Sequence, residues 1–168
     1  ILRLTRIPWI GVLCLFISCT SVDSDIKITQ QQLVFPVLKR TDSTVVLRMD
    51  IVKNDSLLDR TLESVVLSTT GTTDLRDIAS VAMYYNENGD TILSKSSKVF
   101  AKSQDVVPHI RLHGNLNLKS VHNYFWISLT LNNTIDIAHR ASIQCTGIRT
   151  DIGEAQPDSL AHQKPLRM

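Results

Sequence analysis

Short runs in which apolar and polar residues alternate recur along most of the chain, and this spacing is typical of strands. The clearest run extends from Asn123 to Leu131, and one of its faces is uniformly apolar: Phe125, Ile127, Leu129 and Leu131. Because successive side chains of a strand point to opposite faces, we expect that face to lie in a core. The other face carries two large aromatic residues, Tyr124 and Trp126.

Similar runs predict strands along the rest of the chain. They cover Ile26–Thr29, Val45–Ile51, Leu62–Ser68, Ile78–Tyr85, Val99–Phe100, Ile110–Leu118 and Ala141–Cys145, with a shorter run at Leu33–Phe35. Turn residues separate these runs, and Asn88-Gly89 is typical of a hairpin. Roughly nine short strands without a long amphipathic helix predict an all-β fold, an antiparallel, jelly-roll-like β-sandwich.

Residues 1–19 resemble an export signal. Arg3 and Arg6 precede an apolar run, residues 7–17, that is too short to span a bilayer as a helix. The apolar run followed by Ile17-Ser18-Cys19 is similar to the lipobox of bacterial lipoproteins. We therefore expect an exported chain that is anchored to the outer membrane or cell surface by lipid on Cys19. A periplasmic or secreted form is the alternative.

Composition and charge are ordinary for a globular protein. The chain has 168 residues, of which 43% are hydrophobic and 20% are charged. The formal net charge of +2 equals the contribution of Arg3 and Arg6, and residues 1–18 contain no acid. The rest of the chain is formally neutral, which argues against nucleic acid as a partner, because a phosphate backbone requires a basic patch.

Cysteine and histidine usage predicts no disulfide, metal or cofactor in the body of the chain. Cys145 is the only cysteine after residue 19, and the five histidines lack the spacing of metal ligands. We expect Cys145 to be a small buried hydrophobe. Asp74 to Asp77 predicts one helical turn capped by Asp74. Calcium binding by this pair of carboxylates is the weaker alternative, because calcium takes about six to eight oxygens.

The character of the chain changes after residue 150, where Gly, Pro and polar residues replace the alternation. These residues predict a linker without a final strand. The predicted organisation is an export signal (1–19), a polar tether (20–25), a β-sandwich domain (26–150) and a linker toward a further domain (151–168).

Several segments together resemble a known family. They are Thr69-Thr70-Gly71-Thr72-Thr73-Asp74-Leu75-Arg76-Asp77-Ile78, the Tyr84-Tyr85 pair, Asn123-Tyr124-Phe125-Trp126 and the closing Ala141-x-x-x-Cys145 strand. Their order and spacing resemble the neuraminidase-associated N-terminal domain that precedes the catalytic propeller in bacterial exo-α-sialidases of the Bacteroidetes type. The resemblance covers about residues 26–150. It implies a β-sandwich, in some relatives a carbohydrate-binding one.

The catalytic part of such sialidases has no counterpart here. The repeated Ser-x-Asp-x-Gly-x-Thr-Trp boxes of the propeller are missing, so no catalytic residue is carried over. The resemblance implies a non-catalytic module that binds or presents sialylated glycans to a propeller, which hydrolyses the terminal sialic acid. The alternatives are a structural spacer packed on the propeller and a stand-alone surface lipoprotein.

Four residues are candidates for glycan binding: Trp126, Tyr124, Arg111 and His113. Aromatic rings pack on the C–H face of sugars, and an arginine pairs with carboxylates or hydroxyls. If the strands that carry these residues pair as a hairpin, all four side chains share one surface. The simpler interpretation is that the rings pack under a loop or neighbouring domain and that Arg111 and His113 lie on a solvated strand face.

Overall fold

Strands make up most of the described chain, which in this computed structural model comprises residues 25–33, 43–55, 57–86, 91–136, 138–158 and 166–167. In chain order they are β1 (Ile26–Gln32), β2 (Thr44–Lys53), β3 (Thr61–Ser68), β4 (Ile78–Tyr85), β5 (Lys98–Ser103), β6 (His109–Asn117), β7 (His122–Leu131), β8 (Arg140–Ala141), β9 (Gln144–Thr150), β10 (Gly153–Ala155) and β11 (Leu166–Arg167). The helical element within these residues is a single 3-10 turn, Leu75–Asp77, as predicted.

Two antiparallel sheets stack face to face and do not close into a barrel. One sheet has five strands in the order β1-β2-β7-β4-β5, and the other has four in the order β10-β9-β3-β6. A separate two-stranded pair joins β8 to β11. The predicted all-β antiparallel sandwich is therefore confirmed.

The core lies between the two sheets, on the faces that the alternation predicts. Phe125, Ile127 and Leu129 of β7 are buried in one cluster with the inward residues of the opposite sheet, among them Leu62, Val65, Leu67 and Leu112. The ring of Phe100 meets Phe125 edge to face at 6.3 Å between ring centroids. A Cβ added to Gly114 would lie 2.5 Å from the Phe100 ring, so the glycine allows β6 to approach β5 closely.

The connections define two ends of the sandwich, because most of them cross from one sheet to the other. The tether end holds Asp25, at the start of β1, the connections 118–121 and 151–152, and the described residues of the connections 54–60 and 86–97. The clasp end holds the connections 69–77 and 104–108 and the described residues of 132–143, which include β8. The two ends face in opposite directions along the strands.

Some predictions fall outside the described residues, and one differs from the structure. The export signal, residues 20–24 of the tether and the Asn88-Gly89 turn lie outside them, as does most of the Leu33–Phe35 run. The segment after residue 150 was expected to contain no strand, yet Gly153–Ala155 pairs with β9 and Leu166–Arg167 pairs with β8. The backbone of Gly153 has a positive φ of 141°, which glycine adopts readily, and this lets the chain turn back beside β9.

Candidate functional site

The structure places the four predicted site residues on two different sheets. Tyr124 and Trp126 lie on β7 in the five-stranded sheet, whereas Arg111 and His113 lie on β6 in the four-stranded sheet. The connection 118–121 crosses between the sheets, so β6 pairs with β3 and not with β7. The expected hairpin, and with it the shared surface, was wrong.

Trp126 is not an open platform. Its side chain lies on the outer face of the five-stranded sheet, opposite Arg48 on β2 and Tyr84 on β4, but it is only 4% exposed. Ser128, two residues further along the same face, is also buried. The centre of this outer face is therefore covered, and open surface is found nearer the start of β7.

Tyr124 lies in that open part, within a row of polar and aromatic side chains. The Arg48 guanidinium lies 4.7 Å from the centroid of the Tyr124 ring, a cation–π contact. His122 is nearly parallel to the same ring, with 6.0 Å between ring centroids. The His122 Nδ1 atom is 2.8 Å from a carboxylate oxygen of Asp50. The paired strands β2 and β7 thus bring the side chains of Arg48, Asp50, His122 and Tyr124 into one row of contacts.

A shallow depression of about 290 Å³ opens beside this row, on the outer face of the five-stranded sheet. Its lining residues are Thr29, Gln30, Gln31, Arg48, Asp50 and Tyr124. We call it the Arg48 depression. Arg48 forms no ion pair within the described part of the chain, although the Asp50 carboxylate, which pairs with His122, lines the same depression. Hydroxyl, amide and guanidinium groups of this kind recognise sugars and carboxylates.

Gln30, another residue beside the depression, ties β1 to the opposite sheet. Its side-chain amide donates to the Cys145 carbonyl at 3.1 Å and accepts from the Cys145 N–H at 2.9 Å. These two bonds join the edge strand β1 of one sheet to β9 of the other, and they hold Gln30 in place. Cys145 is itself buried, as predicted, and burial raises the pKa of its thiol to about 12.

Arg111 lies in a separate shallow cavity of about 190 Å³ on the four-stranded sheet, where Arg149 and Glu154 also contribute. Arg111 and His113 are both exposed, which agrees with a solvated strand face. A third cavity, also of about 190 Å³, lies at the tether end between Tyr85, Lys119 and Asn123. Neither cavity brings the predicted four residues together.

The loop at residues 69–78, which is part of the family resemblance, uses its polar side chains for contacts within the domain. Asp74 accepts a hydrogen bond from the Arg76 N–H at 2.9 Å, which confirms the predicted cap. The Arg76 guanidinium hydrogen-bonds the same carboxylate and lowers the pKa of Asp74 to about 2. Asp77 is buried and contacts His139 Nδ1 at 2.7 Å. Both carboxylates are therefore engaged, and no metal cluster of His, Cys, Asp or Glu occurs among the described residues.

Comparison with known proteins agrees with the fold. Residues 24–154 match the family described as the N-terminal domain of BNR-repeat neuraminidase, and the chain belongs to this family. Among solved structures it is similar to "Hadza microbial sialidase Hz136", with a TM-score of 0.62 at 15% sequence identity. The alignment covers 83% of this chain and 30% of that chain. No curated protein matches.

The sequence interpretation found Tyr124 but missed Arg48, Asp50 and His122. Arg48 and Asp50 do occupy the polar positions of the alternating β2 run, so a signal was present. What was missing is the pairing of β2 with β7, since strand partners distant in sequence cannot be inferred from alternation.

No helix long and apolar enough to cross a membrane is found in the described residues.

Proposed function

We propose that this chain is the non-catalytic N-terminal module of an exported exo-α-sialidase and that it binds sialylated glycans and presents them to a downstream propeller. Membership of the sialidase-associated family supports the link to a sialidase. The alignment covers 30% of the similar sialidase, and the proposed module leaves hydrolysis to a catalytic domain outside this segment. The module binds the glycan and positions it for the propeller.

The observation that carries glycan binding is the Arg48 depression. A sialic acid has a carboxylate and several hydroxyls, and a guanidinium can pair with the carboxylate through charge-assisted hydrogen bonds. The Tyr124 ring lies against the Arg48 guanidinium and limits its motion before a ligand arrives. Thr29 and Gln31, on the same strand edge, offer a hydroxyl and an amide for the ligand hydroxyls.

The module is also proposed to be a surface lipoprotein, with lipid on Cys19. The short apolar run 7–17 followed by Cys19 supports this part of the proposal. Asp25, the first described residue, is tied into the domain by its carboxylate, which lies 2.7 Å from the Arg60 guanidinium. The tether therefore ends at a fixed point of the sandwich.

The test compares retention on immobilised sialylated mucin with retention on the same mucin after removal of sialic acid. We expect the natural chain to be retained only by the sialylated mucin. Arg48→Gln should weaken binding by about tenfold or more, the usual effect of removing a charge-assisted hydrogen bond. Arg111→Gln, an equivalent change on the other sheet, is the matched control and should bind like the natural chain.

Two outcomes would overturn parts of this proposal. Absence of retention even with millimolar sialylated ligand would remove glycan binding and favour the spacer alternative. Retention of Arg48→Gln equal to that of the natural chain would move the site away from the Arg48 depression. Circular dichroism of both variants checks that the sandwich is intact.

A further inference from the structure

Exposed aliphatic side chains are concentrated at one end of the sandwich. Among the described residues, seven large hydrophobic side chains are exposed, and five of them lie on tether-end loops: Leu57, Leu58, Ile92, Val121 and Ile152. Leu57 is 89% exposed and Ile92 is 72% exposed. The other two, Val99 and Val107, lie on the edge strand β5 and at the clasp end. Clustered apolar exposure of this kind marks an interaction surface.

The backbone that carries these side chains is held in place. Lys53 links two of the loops, since its ammonium donates to the Leu58 carbonyl at 2.9 Å and its N–H donates to the Val121 carbonyl at 2.9 Å. The Asn86 amide donates to the Ile92 carbonyl at 2.7 Å. The apolar side chains therefore project from positioned loops.

The chain enters and leaves the sandwich at opposite ends. Asp25 is held at the tether end, where its carbonyl accepts from the Asn54 N–H at 2.9 Å. Cys19 precedes Asp25 by six residues, which span at most roughly 20 Å when extended. At the other end, Leu166–Arg167 pairs with Arg140–Ala141, so the chain leaves beside the clasp end. A lipid on Cys19 would bring the membrane close to the tether end alone.

We propose that the tether end rests on the lipid surface in which Cys19 is anchored, with Leu57, Ile92 and Ile152 in the interfacial region. This inference rests on the proposed lipid anchor, not on glycan binding. Charges of both signs occur on these loops, for example Lys119 and Asp59, so the contact is apolar and requires no anionic lipid. The Arg48 depression and the clasp end then face away from the bilayer or along it.

The test maps which residues meet lipid in the full lipidated chain. The chain is produced in a bacterium that lipidates Cys19 and is reconstituted in phosphatidylethanolamine and phosphatidylglycerol vesicles. An environment-sensitive thiol dye is attached to Leu57→Cys, Ile152→Cys or, as a clasp-end control, Val107→Cys. The natural Cys145 is buried with a pKa of about 12, so it does not compete for the dye. We expect blue-shifted emission and quenching by brominated lipid at positions 57 and 152, but not at 107.

Variants then test whether the aliphatic side chains hold this orientation. In a Val121→Cys chain, the combined change Leu57→Ser, Ile92→Ser and Ile152→Ser should reduce lipid quenching of the dye to the level at position 107. The single change Val99→Ser should leave the quenching at position 121 unchanged. Both variants keep the lipid anchor, so a difference in quenching between them measures the contribution of the tether-end side chains.

The outcomes separate this inference from the proposed function. If the chain is lipidated but the dyes at positions 57 and 152 report water, the proposed orientation is wrong. The same conclusion follows if the dye at position 107 reports lipid. Neither result affects the lipid anchor or glycan binding. Absence of lipid on Cys19 by mass spectrometry would remove both the anchor and the orientation, whereas retention on sialylated mucin would be unaffected.

Discussion

The two ends of the sandwich differ in how their loops use polar and apolar side chains. At the clasp end, residues 69–77 and 132–143 bind each other through side-chain hydrogen bonds, and Asp77 is buried against His139. At the tether end, the loops expose five large aliphatic side chains. Both ends form internal hydrogen bonds, but the tether end also leaves apolar surface for something outside the domain. The difference suggests that the clasp end serves stability and the tether end serves contact.

The clasp consists of reciprocal contacts between the two loops. Thr72 Oγ1 donates to the Ser142 carbonyl at 3.0 Å and accepts from the Ser142 N–H at 2.9 Å. Thr73 Oγ1 accepts from the Arg140 N–H at 3.1 Å, and the Thr73 N–H donates to the Arg140 carbonyl at 2.9 Å. Threonine side chains thus satisfy backbone groups of the facing loop.

The largest expected effect is at Asp77. Asp77→Ala removes the carboxylate that pairs with His139 and leaves a buried space at the clasp. We expect the free energy of unfolding to fall by about 2–3 kcal/mol, as for loss of a hydrogen bond to a charged group, because Asp77 is buried while His139 is partly exposed. Asp59→Ala, on an exposed tether-end loop, is the control and should change it by less than about 0.5 kcal/mol. Urea unfolding measures the free energy of unfolding of both variants. Equal decreases in Asp77→Ala and Asp59→Ala would show that the two ends do not differ in this respect.

A smaller effect is expected at Thr72. Thr72→Val keeps the shape of the side chain but removes both hydrogen bonds to Ser142, whose backbone then lacks its partners. The free energy of unfolding should fall by about 1–2 kcal/mol. Thr134→Val, at an exposed position of the facing loop, should have almost no effect. If both valine variants unfold at the same urea concentration, the clasp contributes nothing measurable.

The smallest expected effect is a pH dependence carried by His139. The hydrogen bond that His139 donates to the Asp77 carboxylate raises the pKa of His139 above its usual value of about 6.5. Because the folded-state pKa exceeds the unfolded one, this stabilisation is complete below about pH 6.5 and is lost as the pH rises through the raised pKa. Unfolding free energies measured from about pH 6 to pH 9 should therefore decline. The decline should be shallower in His139→Gln, and an identical slope in both chains would contradict it.

Much of the fold could be predicted because strand formation depends on local alternation. The run Asn123 to Leu131 corresponds closely to β7, and its apolar face is in the core. The Asp74 cap was also predictable, since its hydrogen bond spans only two residues. The strand Gly153–Ala155 was missed because it is short and contains a glycine, features that alternation does not detect.

The site was predicted only in part. Tyr124 does line the Arg48 depression, but Arg111 lies on the other sheet, because a connection of the same length can close a hairpin or cross to the opposite layer. Burial of Trp126 was likewise beyond prediction, since alternation gives the face of a side chain and not what covers that face. Ligand binding by Tyr124 stays a prediction, and the Arg111→Gln variant tests whether Arg111 takes part.

Local periodicity was enough to specify most strands of this protein, their inward faces and the capped turn, because each depends on neighbours a few residues away. The family resemblance added the link to sialidases. Strand pairing was decided only by the folded chain, since it joins residues far apart in sequence. That pairing puts Arg48 beside Tyr124, separates Arg111 from both, and gathers the exposed aliphatic loops at the end where the tether meets the domain.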